Sequence, residues 1–330
     1  MRKIVCFGEA LIDFLARPGE TPEAPRAFLQ FAGGAPANVS VAAARLGAET
    51  QFVGMLGDDM FGDFLLGSLR DAGVDTTHIV RTDAARTALA FVQLDADGER
   101  SFSFYRPPAA DLMFRDEHFH PQSFRDTAVF HVCSNSLTEA DIARTTLQGM
   151  SRARAGGAVV SIDLNLRPAL WPADVDPRSR LWSALVEADV VKLARNELEY
   201  LATHAGGEDA VLQRILGGHA RLVVVTDGAA TMHWRTREAR GEVPAFRVRP
   251  VDTTAAGDAF VGGLLFWLAQ RGVDAAGLPA FVADTDAIHD ALRFGAAVGA
   301  LAVTRHGAFA AMPTHTEVSQ LLREQHEHAA

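Results

Sequence analysis

The chain has 330 residues and a mass of 35.4 kDa, enough to bury a core without disulfide or metal staples. Hydrophobic residues make up 48% and charged residues 22%, which excludes disorder, collagen-like repeats and coiled coil as descriptions of the whole. A net charge of −10 argues against a nucleic-acid backbone binder, so an anionic ligand must be held by a few arginines or by backbone amides.

In chain order, short apolar runs at residues 4–7, 51–55, 128–132, 158–162, 190–193 and 222–226 read as buried strands. Helical patterns alternate with them at 36–46, 61–72, 139–155, 197–204 and 210–216, followed by an apolar helix over 261–268. Strands of this length separated by helices predict an α/β fold with a mostly parallel sheet covered on both faces. No linker divides the chain, so residues 1–330 are expected to form a single domain. Two stretches break the rhythm: 14–32, rich in proline, and 88–106, which alternates around a polar turn at 95–98 and reads as a hairpin. Extended segments inserted this way make a small β lid or a dimer surface; a plain edge hairpin is the alternative reading.

Several ready-made functions are missing. The only lysines are Lys3 and Lys192, and neither follows a G-x-x-x-x-G stretch, so there is no Walker A loop. The first strand is followed by Gly8 and then Glu9, which is not a dinucleotide fingerprint and weakens a nicotinamide oxidoreductase reading. Cys6 and Cys133 sit in apolar runs and read as buried, reduced thiols; no metal-spaced Cys/His cluster appears, and 324–328 reads as a solvated tail. The first apolar run is broken by Glu9 and Asp13, too soon for a signal peptide, and no apolar window reaches membrane-spanning length. The expectation is a soluble cytoplasmic protein without membrane or nucleic-acid partners.

The most informative segment is Asp252-Thr253-Thr254-Ala255-Ala256-Gly257-Asp258, which leads into the apolar helix. Small residues let the backbone approach a ligand, and first-turn amides with the helix dipole make an anion site that needs no lysine. Asp258 in that turn is either a dipole complement or a base beside a phosphoryl-binding cradle. A second cluster, Gly33-Gly34-Ala35-Pro36-Ala37-Asn38, is either a tight turn before a helix or a polyol contact made by amides and a carboxamide. Asp13, read as lying just after the first strand, falls at the edge where open α/β sheets bind ligands. Asp163-Leu164-Asn165-Leu166-Arg167-Pro168 follows another strand and reads as a site edge. Asn196 reads as a helix N-cap with Glu199 completing a capping box, and Thr226-Asp227-Gly228 reads as a turn.

Together these elements resemble the ribokinase-like carbohydrate kinases, the PfkB family, over about residues 3–325. The segment 252–258 is similar to the family's second signature, with Ala255-Ala256 where many members have Gly-Ala; Gly33–Gly47 is similar to the first. Gly33–Asn38, the run 104–111 with Arg106, and 163–171 with Arg167 resemble the fructokinases within the family; 2-keto-3-deoxygluconate kinases share parts of both. The resemblance implies a three-layer fold with a β lid and an ATP-dependent sugar kinase, with Asp258 as base and the amides of Ala255, Ala256 and Gly257 receiving the transferred group. It implies that Asp13, Gly33, Gly34, Asn38, Arg106 and Arg167 hold the sugar. Asn196, Glu199, Thr226, Asp227, Gly228 and Gly257 then serve ATP and its Mg²⁺. It also implies a K⁺ held by Asp252 and the Thr254 carbonyl, with oxygens from Ala302, Arg305 and Gly307; a loop already fixed by packing is the plainer alternative. A homodimer through the lid is a further expectation. A non-catalytic sugar or nucleotide sensor is the rival from another class.

Overall fold

The chain follows the expected alternation, with two sheets. The computed structural model describes residues 2–17, 27–94 and 100–327; the predicted hairpin turn at 95–98 and the prolines at 18, 22 and 25 lie outside them. The strands are β1 (Lys3–Phe7), β2 (Leu11–Arg17), β3 (Ala27–Gly33), β4 (Thr50–Gly57), β5 (Ile79–Thr82), β6 (Leu89–Leu94), β7 (Arg100–Tyr105), β8 (Thr127–Cys133), β9 (Val159–Asp163), β10 (Val190–Ala194), β11 (Leu222–Thr226), β12 (Met232–Arg235) and β13 (Arg240–Val243). The helices are α1 (Ala35–Arg45), α2 (Met60–Asp71), α3 (Ala140–Ala155), α4 (Arg178–Leu185), α5 (Arg195–Ala202), α6 (Glu208–Leu216), α7 (Ala256–Gln270), α8 (Leu278–Ala283), α9 (Thr285–Ala302) and α10 (His315–Glu327).

The large sheet runs β13-β12-β11-β10-β9-β8-β1-β4-β5 and is parallel except for β12 and β13. Its central strands are apolar on both faces because helices cover both. Residues of α1, α2 and α7 to α10 build the core on one side, and residues of α3 to α6 build it on the other. All the predicted strands and helices are present, with ends moved by at most five residues. The alternation assigns nothing to residues 178–185, 232–243 and 278–327; these form α4, the antiparallel edge, and α8 to α10. Much of the predicted tail belongs to the end of α10.

The small sheet, β3-β2-β6-β7, combines both predicted insertions. Strand β2 corrects the placement of Asp13. That residue is not at the exit of β1 but inside a lid strand, opposite Phe31 on β3 and Ala90 on β6. The Gly8-Glu9-Ala10 break ends β1 and turns the chain out of the main sheet, a redirection that residue spacing does not report. Alternation then gives the lid two unlike faces. One carries Asp13, Phe31 and Ala90; the other carries Phe14, Phe28 and Tyr105, whose rings each touch that of Phe91.

Helix α7 is buried along 258–269 and lies between α1 and α9. At Gly262 a Cβ would collide with Ala42 of α1, so only glycine permits this approach. The packing fixes the N-terminus of α7 over the carboxyl edge of the main sheet, where the polar residues collect. No helix among the described residues is long and apolar enough to cross a membrane, and the free thiols of Cys6 and Cys133 are both buried.

Candidate active site

The polypeptide enters α7 through a strained residue. Ala255 caps the helix at φ 58°, a left-handed conformation that costs an L-residue about 1–2 kcal/mol. Ala256 N–H reaches back to Thr253 O at 3.4 Å, and first-turn amides have no acceptor within their own helix. The loop before it is tied down by Asp252. Its Oδ1 accepts from Thr254 N (2.8 Å) and its Oδ2 from Gly307 N (3.0 Å), joining residues 252–257 to the loop that follows α9.

Asp258 stands in the first turn of α7 and is only 8% exposed. Asn38 Nδ2 donates to its Oδ2 at 2.7 Å, so the two glycine-containing segments meet at this carboxylate. Burial first, and then the neighbouring charge of Asp163, push the Asp258 carboxyl up to about 7; the Asn38 hydrogen bond, Arg167 and Lys192 oppose the shift. A carboxylate poised near neutral pH is suited to general-base work. The oxygen of the same carboxamide, Asn38 Oδ1, is buried without a partner, so the site presents an acceptor with no donor of its own. Asp13 lies against Gly33 at the same end, where any Cβ would overlap its carboxylate.

The expectation of a cradle without lysine is overturned. Lys192 reaches it from β10: a Cβ placed on Gly257 would sit 3.1 Å from Lys192 Nζ. The ammonium pairs with Asp163 at 3.0 and 3.1 Å, and both side chains are buried. Burial pulls the lysine down, but Asp163, Glu197 and Asp258 outweigh it and leave its pKa raised, so it stays charged. Sequence spacing does not show this pair because Asp163 and Lys192 are register partners on adjacent parallel strands, joined only by the fold.

Helix α5 also departs from expectation. Asn196 does not cap it: the N-cap is Ala194, and both Asn196 and Glu199 are exposed. The carboxylate that turns inward is Glu197, which accepts from Ala194 N and Leu166 N, each at 2.7 Å. Burial raises its pKa while Lys192 opposes the rise. The reason is that β10 runs directly into α5 with no loop, which shifts the capping position two residues upstream.

Arg106 leaves β7 as expected but is 1% exposed, with Nε (2.9 Å) and Nη2 (2.5 Å) donating to Asp111. It is therefore a buried cation held in an internal ion pair at the exit of β7. Arg167 is exposed and close enough to Asp258 to lower its pKa. Thr226 ends β11 half-buried, and Asp227-Gly228 forms an exposed turn closed by Ala230 N to Asp227 O at 2.8 Å. Ala302, Arg305 and Gly307 lie around the end of α9, opposite Asp252.

A buried carboxylate at the head of a helix, beside a charged ammonium, is an arrangement suited to moving an anionic group onto a hydroxyl. Residues 1–315 match the pfkB family carbohydrate kinases, and the chain belongs to that family; it is a phosphotransferase acting on carbohydrate. Its relatives narrow the class. The chain is 43% identical over 323 residues to fructokinase-1 of Zea mays, covering 97% of this chain and 98% of that one. It is similar to a crystal structure of fructokinase with bound ATP from Xylella fastidiosa, with TM-score 0.94 and 61% identity over 98% of this chain and 99% of the other. It is also similar to a fructokinase double mutant from Vibrio cholerae O395 in fructose, ADP and potassium ion bound form, with TM-score 0.83 and 33% identity over 98% of each chain.

Proposed function

We propose that the chain is an ATP-dependent fructokinase that moves the γ-phosphoryl group of ATP onto a hydroxyl of fructose. The observation that carries this reading is Asp258, a buried carboxylate raised to about 7 and held by Asn38 at the head of α7. The sugar hydroxyl gives its proton to Asp258 as its oxygen bonds to the γ-phosphorus. The bond to the bridging oxygen breaks and ADP leaves with the electron pair. The amides of Ala255, Ala256 and Gly257, with Lys192, take up the charge on the transferred group. Asp13, Gly33, Gly34, Asn38 and Arg167 form the sugar side, and Thr226, Asp227 and Gly228 the nucleotide side. Arg106 is assigned to holding the lid exit. The lid keeps water from accepting the phosphoryl group.

Asn196 and Glu199, both exposed on the first turns of α5, would hold Mg²⁺, which asks one or two carboxylates of a protein when phosphates supply the rest. When bound, it screens the β- and γ-phosphate charge. A K⁺ at Asp252, the Thr254 carbonyl and oxygens of Ala302, Arg305 and Gly307 is supported by the meeting of those two loops at one buried carboxylate, and by the potassium of the Vibrio structure. The two free, buried thiols fit a reducing cytoplasm. The outer lid face, with Phe28 45% and Tyr105 69% exposed, supports a homodimer through the lid; a monomer in sedimentation equilibrium at micromolar concentration would contradict it.

Coupled ADP release over fructose, mannose, ribose, 2-keto-3-deoxygluconate and adenosine tests the function. Fructose is expected to give the highest kcat/KM, and KCl added at constant ionic strength to raise the rate. Preference for the keto-acid sugar replaces the assignment with 2-keto-3-deoxygluconate kinase. No ADP release with any acceptor favours a sensor, and a flat KCl response removes the cation site.

A further inference from the structure

Glu9 follows β1 at the carboxyl edge of the main sheet and is 1% exposed. Its Oε1 accepts from Ala35 N (3.2 Å) and from Asn135 Nδ2 (2.9 Å), while the Cys133 thiol lies 3.6 Å from Oε2. A carboxylate this deep is unfavourable unless the groups around it satisfy it. Burial raises its pKa; the charge of Arg106, itself paired with Asp111, opposes the rise first, and the Asn135 hydrogen bond next.

The two donors lead to two similar ends. Ala35 opens α1, and three residues on is Asn38, which binds the base. Gly34, at φ 103°, packs onto the Glu9 carbonyl where a Cβ would collide, so Glu9 pins the head of α1 through backbone and side chain together. Asn135 follows β8, whose last residue, Cys133, is the register partner of Asp163 on β9, so this end of β8 lies at the edge where Asp163 and Lys192 meet the head of α7. Asn38 and Asn135 are both buried. Each spends its Nδ2 on a carboxylate, and each leaves its Oδ1 buried without a partner. Two such acceptors await hydroxyl donors.

We propose that Asn135 is a second carboxamide contact for the sugar hydroxyls, and that Glu9 is the positioning residue that sets both it and Asn38. The inference rests on the reading of Asp258 and Asn38 as the sugar side. Fructose turnover by the wild-type protein, and its loss in Asp258→Asn, test that reading separately.

The experiment measures KM for fructose and for ATP in Asn135→Ala, Glu9→Gln and Glu9→Ala, and in Glu9→Ala added to Asn38→Ala/Asn135→Ala. Asn135→Ala and Glu9→Ala are each expected to raise the fructose KM about tenfold or more while leaving the ATP KM within about twofold. Glu9→Gln keeps the accepting oxygen and should stay within about threefold of wild type. In the double-alanine background, Glu9→Ala should add less than about threefold, because its route to the sugar is gone. Should Glu9→Ala not fold, as judged by circular dichroism, Glu9→Asp replaces it, since its shorter carboxylate falls short of Ala35. Equal effects on both substrates, a Gln variant as damaged as Ala or Asp, or a full effect of Glu9→Ala in the double background would each overturn the proposal.

Discussion

Asp258→Asn is expected to lower kcat by about 10²–10⁴ with modest change in either KM. The amide keeps the shape of the carboxylate and can still meet Asn38, so binding on both sides of the site survives. What it removes is proton acceptance at the attacking hydroxyl. The size follows from the environment: a group raised to about 7 by burial and by Asp163 is a far better base at neutral pH than an ordinary aspartate. Turnover near the wild-type rate would show that the proton goes elsewhere.

Lys192→Met is expected to damage both stability and catalysis. Removing the ammonium strands Asp163 in a buried site, a change that typically costs about 3–5 kcal/mol. It also removes the only side-chain cation placed against Gly257 among the described residues, so kcat should fall by about 10²–10³. The two effects separate in Asp163→Asn/Lys192→Met, which has no unpaired buried charge at this pair. The double variant should regain much of the lost thermal stability and recover no activity. Recovery of turnover along with stability would assign Lys192 to holding the strands together and not to the phosphoryl group.

The legible and illegible parts of this site differ in range. Asp258, Gly257 and the Gly33–Asn38 turn could be read because each is a local pattern: a helix start with small residues, where free amides and conformation are set by neighbours in sequence. Their meeting through Asn38 and Asp258 follows from α1 packing on α7, and the resemblance to a known family foreshadowed it. Lys192 could not be read, since its role depends on β9 and β10 lying side by side. The same holds for Glu9, which is an ordinary acid after a strand until β8 and the head of α1 are brought to it. Asn196 misled because asparagine is a good N-cap in general, whereas here β10 passes straight into α5 and Glu197 takes the capping work. The ion pair of Arg106 with Asp111, five residues on, was not legible either, since it depends on how the chain leaves β7. The lid strands were legible by alternation, yet the turn of β2 out of the main sheet was not, and that turn puts Asp13 on the lid's inner face.

The most direct test of the account is the pH dependence of kcat/KM for fructose from about pH 5 to about pH 9, in the wild-type protein and in Asp258→Asn. Asp258 must be ionised to accept the proton, so activity should rise with pH as one proton is lost through about 7 and then level off. The residual activity of Asp258→Asn should lack that limb. A wild-type profile flat through this range, or an unchanged limb in the variant, would contradict the assignment of Asp258 as the base.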